Sequence, residues 1–445
     1  MKKLFSNRAM LVALLAAVVM LLAACGAEEA AVALGTDPTG NPWTEGQDLS
    51  GTEVVIFGAY VDEDASRFQA AMAPFIEQTG IDVYYEGSGD FEALITVRAE
   101  GGDSPDIAAF PQPGLMADLY GQGHVIDLRD WFSESDLLQT YEQSWIDMSR
   151  HDDGAIMGVW YRTNVKSLVW YPPAVFEAEG YEIPTTWDEL LALSDQMVDD
   201  GYTPWSVAME SGGATGWVGT DWIEDIMLRI HPPEVYDRWV AGELRFDSPE
   251  VREAFEYLGE VWFEDDYVLG GTASILTVPF GDGANPIVAD PPQALMHRQA
   301  SFITAFLPDG TDIGSDGDID FFYLPQIDPA LGDPVLVAGD IMSAMQDRPE
   351  IRAVMRYLTT GESTRGWLEQ GGFVAPHQDA DLGWYPELDR GYAEILMNAD
   401  VVRFDASDLM PGAVGTGSFW TGMVDFVSGD SLDEVLPAID ASWPR

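Results

Sequence analysis

The side chains with chemical potential in this chain are carboxylates and aromatics rather than thiols or imidazoles. The sequence holds 76 Asp and Glu against 21 Lys and Arg, with one cysteine and five histidines. The histidines are scattered, with no zinc-ligand spacing. An acidic cluster, Asp312, Asp316, Asp318 and Asp320, starts like a calcium loop at Asp316-Gly317-Asp318-Ile319-Asp320. Its sixth position is Phe321 where glycine is required, and its twelfth is Ile327 where glutamate is required. No metal or other cofactor is therefore expected. The carboxylates also lack a recognisable acid and partner for glycoside hydrolysis, and no catalytic residue is assigned. More informative are polar and aromatic side chains grouped in loops: Tyr60 with Asp62 and Asp64, Gly87-Ser88-Gly89-Asp90, Gln112, and Trp217-Val218-Gly219-Thr220-Asp221-Trp222.

Those loops need a scaffold. Glu53-Val54-Val55-Ile56-Phe57 reads as a strand opening into Gly58. A helix around Arg67 to Gln78 follows, with Phe68, Met72, Phe75 and Ile76 at helical spacing and Gly80 as its stop. Ile81 to Tyr85 is a second strand, Phe91 to Ala99 a helix, and Asp106 to Phe110 a third strand ended by Pro111. Strands alternating with helices predict a parallel, helix-covered sheet. Further on, Thr186 and Glu189 form a capping box ahead of an apolar face of Trp187, Leu190, Leu191, Met197 and Val198, closed by Gly201. Ser248-Pro249-Glu250 starts another helix, and a third follows Pro349 as far as Gly361.

The N-terminus has a different logic. Lys2, Lys3 and Arg8 precede an apolar run from Ala9 to Ala24, a secretory layout too short for a membrane span. Leu22-Ala23-Ala24-Cys25 resembles the bacterial lipobox, so Cys25 is expected to be acylated and to become the first mature residue. Residues 1–24 are then a leader and 25–50 a flexible tether rich in Ala, Glu, Gly and Pro. Removing the leader leaves Lys166 as the only lysine. The formal charge of −55 excludes nucleic-acid binding, which depends on basic contacts. The 47% hydrophobic and 11% aromatic content argues against disorder, so the acidity belongs to a solvated outer face. Length alone predicts two or three domains.

Several ordered segments resemble family 1 extracellular solute-binding proteins, the carbohydrate-capturing components of ABC importers, a group that includes maltose-binding protein. They are Gly158 to Tyr171, Pro184-Thr185-Thr186-Trp187-Asp188-Glu189-Leu190, Ser248-Pro249-Glu250, Val337-Ala338-Gly339-Asp340, Gly371 to Pro376, and Met410-Pro411 followed by Ser418-Phe419-Trp420. Tyr161 to Tyr171 and Met410 to Met423 point to the α-glucoside-binding subgroup. The resemblance implies an α/β, two-lobed periplasmic-binding-protein type II fold with the ligand cleft between the lobes. Residues 51–163 with 336–374 would form lobe one, and 164–335 with 375–445 lobe two. Crossovers are expected near Thr163 to Ser167, Val335 to Gly339 and Phe373 to Gln378, with hinge closure around ligand.

A sugar's apolar faces and hydroxyl rim call for an aromatic platform ringed by polar groups, held in loops at the C-terminal ends of parallel strands. The expected ligand-binding set is Tyr60, Asp64, Ser88, Asp90, Gln112, Arg162, Trp217, Asp221, Trp222, Gln299, Asp340, Arg403 and Trp420. Trp420 takes a stacking role from the resemblance, although the arginine that follows in maltose-binding protein is not matched. Structural ion pairing is the competing reading for Arg162, His297, Arg298 and Arg403. The expected protein is a monomeric, non-enzymatic receptor, lipid-anchored through Cys25, that delivers a carbohydrate to ABC permease subunits. A secreted glycoside hydrolase, and the same fold binding a cation, are the alternatives.

Overall fold

The computed structural model describes residues 35–264 and 266–444; the leader, Cys25 and residues 26–34 lie outside them. From residue 35 the expected tether is not free chain. Asp37 Oδ1 accepts from the backbone of Thr39 and Asn41. Trp43, 3% exposed, packs edge-on to Tyr357 at 4.8 Å and beside Phe75 at 5.6 Å. Arg356 pairs with both Asp37 and Glu45. The polar composition suggested solvated chain, but one tryptophan and one arginine pin the stretch to the body.

The main sheet is built from β1 (Glu53–Gly58), β2 (Asp82–Gly87), β3 (Ile107–Phe110), β4 (Val159–Val165), β8 (Pro334–Ala344) and β9 (Val401–Phe404), in the order β2-β1-β3-β8-β4 with β9 on β8. β1 runs parallel to β2 and β3, whereas β8 is antiparallel to β3 and β4. Every residue of β8 is buried, as befits a central strand covered on both faces. The helix expected over Arg67 to Gln78 is two helices, Asp62–Ala71 and Ala73–Thr79, because Pro74 cannot continue a helix across its own position. The capping box at Thr186 and Glu189, Gly201 in the left-handed conformation, and the Ser248 cap all form as read.

A smaller antiparallel sheet of β5 (Leu168–Tyr171), β6 (His297–Arg298) and β7 (Asp320–Tyr323) lies in the second lobe. Two apolar cores divide the chain, and strand alternation routes side chains between them. Leu168 and Trp170 join the first core and Val169 the second; Val335 and Val337 join the first and Leu336 the second. The molecule thus has two α/β lobes, joined among other places where β4 passes to β5 and at the start of β8. At the third expected crossover, Phe373 to Gln378, Val374 bridges to Thr163 of β4, beside the first crossover. Tyr385, Tyr392 and Phe404 belong to the first core, while Ala406, Met410, Val414 and Phe419 belong to the second. The helix Glu387–Asn398 packs Tyr392 on Trp170 and Phe321 of the small sheet, and β9 pairs with the start of β8. Ala284, Ile287, Ile303 and Ile319 also pack on the first core.

Candidate functional site

The lobes enclose a cavity of about 230 Å³. Its lobe-one wall is set by strand register. Arg162 on β4 lies opposite Asp340 on β8, so their side chains share a face. Arg162 Nε donates to Asp340 Oδ2 at 2.5 Å, and Nη1 to Asp64 Oδ2 at 2.9 Å. The guanidinium lies 4.4 Å from the Tyr60 ring centroid and 4.8 Å from that of Trp367. Burial works against its charge, but Asp340 and Asp64 outweigh burial and hold it charged more firmly than a free arginine. Asp64 is pushed up by the same burial, against the pull of Arg162. Gln112, immediately before the helix Pro113–Gly121, donates to Glu92 Oε1 at 3.0 Å.

The lobe-two wall is aromatic. The run expected as a Gly-rich loop is instead the start of the helix Trp217–Ile230. Gly216 precedes it at φ 127°, and a Cβ there would lie 2.3 Å from the Trp420 carbonyl oxygen. Glycine at this position lets the Trp217 and Trp420 segments meet. Trp217 packs against Phe280 at 5.2 Å and Phe302 at 6.0 Å, and Phe306 completes the group. Trp420 opens the helix Trp420–Ser428 directly after a π-helical stretch, Ala413–Phe419, a local irregularity often found at functional positions.

The floor is a buried charge network at the crossovers. Lys166 Nζ donates to Asp221 Oδ1 at 2.7 Å and Asp405 Oδ2 at 2.5 Å. Burial opposes the ammonium charge, yet Asp221 and Asp405 raise its pKa well above the ordinary value. The carboxylates share unequally. Burial pushes Asp221 up, whereas for Asp405 the Lys166 charge and surrounding donors outweigh burial and bring it down. Glu224, which accepts from the backbone of Ala406 and Ser407, is raised far above its usual value by burial and by its acidic neighbours. Asp221, Glu224 and Asp405 are, among the described residues, the carboxylates spaced like metal ligands; the Lys166 ammonium already supplies positive charge there. Asp312 to Asp320 form no such group: Asp318 Oδ2 accepts from the Asp312 backbone within an exposed turn.

Of the expected residues, Tyr60, Asp64, Gln112, Arg162, Trp217, Asp221, Asp340 and Trp420 line this one cavity. Ser88 and Asp90 stand at the rim, where Gly89 between them reaches the cavity and Asp90 Oδ1 accepts from Gly213 of the other lobe at 3.2 Å. The remaining three lie elsewhere. Trp222, five residues along the helix from Trp217, points into the lobe-two core between Trp205 and Trp262. Gln299 is fully buried, its Oε1 accepting from Ala300. Arg403 faces outward in a two-bond pair with Asp237. Of the residues weighed as structural, Arg298 pairs with Asp225 at 2.8 Å, and buried His297 has its pKa lowered to about 4 by burial. Sequence reasoning missed Asn164, Lys166, Asp405, Ser407, Asp408 and the three phenylalanines. A lone lysine inside an apolar strand run was the available signal for Lys166.

Besides Asp221 Oδ2, which faces Arg298 Nη1 at 3.5 Å, four buried polar atoms of cavity-lining residues have no hydrogen-bond partner among the described residues: Tyr60 Oη, Gln112 Oε1, Asn164 Oδ1 and Trp420 Nε1. Buried polar groups are normally satisfied, so these four are exceptions grouped on the lining residues of one cavity. A family model of the bacterial extracellular solute-binding protein matches residues 58–273. The chain is 46% identical over 394 residues to the osmoprotective compounds-binding protein GgtB of Synechocystis sp., covering 88% of this chain and 93% of that one. This chain belongs to the bacterial extracellular solute-binding proteins. A second relative of this solute-binding protein, the alpha-glucosides-binding periplasmic protein AglE of Rhizobium meliloti, is 42% identical, covering 90% of this chain and 88% of the other. Among solved structures the solute receptor AcbH superposes with a TM-score of 0.76 at 18% identity, over 88% of this chain and 98% of that one. The maltose-bound MalE3 of T. maritima gives 0.68 at 14%, over 88% and 98%. At those identities the likeness establishes the two-lobed fold. The protein therefore works outside the cytoplasm, and no described helix is long and apolar enough to cross a membrane.

Proposed function

We propose that this solute-binding protein captures a small neutral glucoside between its lobes and delivers it to an ABC importer, held at the membrane by a lipid on Cys25 and acting as a monomer without catalysis. The observation that carries this reading is the unpaired set at the cavity wall. Trp420 Nε1 can only donate, Tyr60 Oη can do both, and the amide oxygens of Gln112 and Asn164 can only accept. Hydroxyl groups, which donate and accept, complement such a mixture, and the aromatic side of the cavity suits the apolar face of a sugar ring. The names of the two relatives, binders of alpha-glucosides and of osmoprotective compounds, support a ligand of this class. The other expected polar side chains that line the cavity, Asp64, Arg162, Asp221 and Asp340, belong to ion pairs that brace the wall. Titration with maltose, trehalose and sucrose is expected to quench tryptophan fluorescence at about micromolar ligand, roughly 8 kcal/mol of binding; silence to every sugar overturns the proposal.

One observation favours a second reading. Asp64, Glu92, Asp221, Asp340, Asp405 and Asp408 line the cavity against Arg162 and Lys166, which would suit a cationic solute. A cation leaves the Trp420 N–H without an acceptor. Its binding would weaken steeply with salt, and a neutral glucoside's would not.

A further inference from the structure

We propose that Lys166 donates a hydrogen bond from its ammonium group directly to a hydroxyl oxygen of the bound glucoside, so that the ligand is bonded to the hinge itself. This rests on the glucoside reading above and assigns one of its contacts.

An ammonium group carries three hydrogens and no acceptor. The described residues take two of them, at Asp221 and Asp405. Lys166 is 4% exposed, so bulk water is largely excluded from the third, and the opening beside it is the ligand cavity, which Lys166 lines. The Trp217 ring, itself a cavity wall, has its centroid 5.6 Å from Nζ. Asp408 lines the same cavity, close enough for its charge to act on Lys166. Among the described residues no donor reaches its side chain, and its backbone N–H donates to Asp405 Oδ1. A hydroxyl seated here can accept from Lys166 and donate to Asp408, a pairing that neither a cation nor an apolar group can make.

The position of Lys166 makes the contact consequential. Its backbone N–H donates to Leu336 of β8 at 2.8 Å, and Asp405 N–H donates to Val337 at 2.9 Å. Nζ therefore joins the first crossover to the segment that follows β9, and through Asp221 to the lobe-two helix Trp217–Ile230. A counterion serving only the carboxylates needs no place on the cavity surface.

Lysine occurs in the chain at Lys2, Lys3 and Lys166, so protein labelled with ¹⁵N-lysine gives few Nζ resonances, and Lys166→Arg identifies the one required. During titration with the tightest sugar of the fluorescence panel, the Lys166 resonance is expected to shift in step with saturation, and its hydrogens to exchange more slowly. One singly deoxygenated analogue of that sugar should bind roughly 10- to 100-fold more weakly and leave the resonance near its unliganded position. Against Lys166→Gln, that analogue and the parent sugar should bind alike. Fluorescence that saturates while the resonance stays fixed overturns the contact and leaves the glucoside reading standing. No sugar response at all overturns both. The resonance is read on unsubstituted protein, so the test survives a Lys166→Gln variant that fails to fold.

Discussion

Two carboxylates bridge the lobes at the cavity rim without lining its central part, and removing them tests how closure is stabilised. Asp90 accepts from Gly213 at 3.2 Å, and Asp118, on the helix Pro113–Gly121, accepts from Gly412 at 2.8 Å. Gly213 precedes Trp217 and Gly412 precedes the π-helical stretch leading to Trp420, so each bond holds the approach to one aromatic wall. Both bonds are solvent-exposed, and each is expected to contribute roughly 0.5–1.5 kcal/mol. Ligand binds the closed form, so its apparent affinity falls with the closed fraction. The Asp90→Ala/Asp118→Ala double variant should lose roughly 1–3 kcal/mol of closure. Where the free protein is mostly open, that appears as a 5- to 150-fold weaker Kd. Where it is mostly closed, it appears first as a larger radius of gyration without ligand. The assays are tryptophan-fluorescence titration and small-angle X-ray scattering of the free protein, with thermal melting to confirm folding. A folded double variant with both Kd and radius unchanged refutes the reasoning, because the rim bonds would then contribute nothing to closure.

Three further expectations follow from particular residues. Burial raises Asp389 to about 6, even though its Oδ1 accepts from Gly372 at 2.7 Å. Since the folded pKa lies above the unfolded one, the folded state is penalised as pH rises from about 4 to 6 and stays so above. Asp389→Asn should therefore stabilise at pH 7.5 by up to about 3 kcal/mol and have little effect below pH 4, as thermal melts at the two pH values will show. Trp43→Ala should detach residues 35–50 from Phe75 and Tyr357, opening a protease-sensitive site there while sugar affinity is unchanged. A Cβ at Gly415 would sit 1.8 Å from the Ser407 backbone oxygen, so Gly415→Ala should displace the cavity segment bearing Ser407 and lower both melting temperature and affinity. Gly121→Ala, with nothing within 4 Å of the new atom, should do neither.

What the sequence determined by itself was local. The helix caps at Thr186 and Ser248, the stop at Gly80 and the strands around Val55, Val83 and Ala108 depend on neighbours within a few residues, so composition and spacing sufficed. The order of motifs carried the family and hence the two lobes. Tertiary structure decided what depends on distant partners. Four-residue β9 is too short to announce itself, and only its pairing with the start of β8 shows where it lies. Trp217 and Trp222 look alike in sequence; helical geometry sends one to the cavity and the other to the core. Arg162 and Asp340 are 178 residues apart, and their meeting is a matter of strand register. Lys166 stood out as a lone lysine, but its two carboxylate partners and its open side are set by where β4, β8 and the segment after β9 converge.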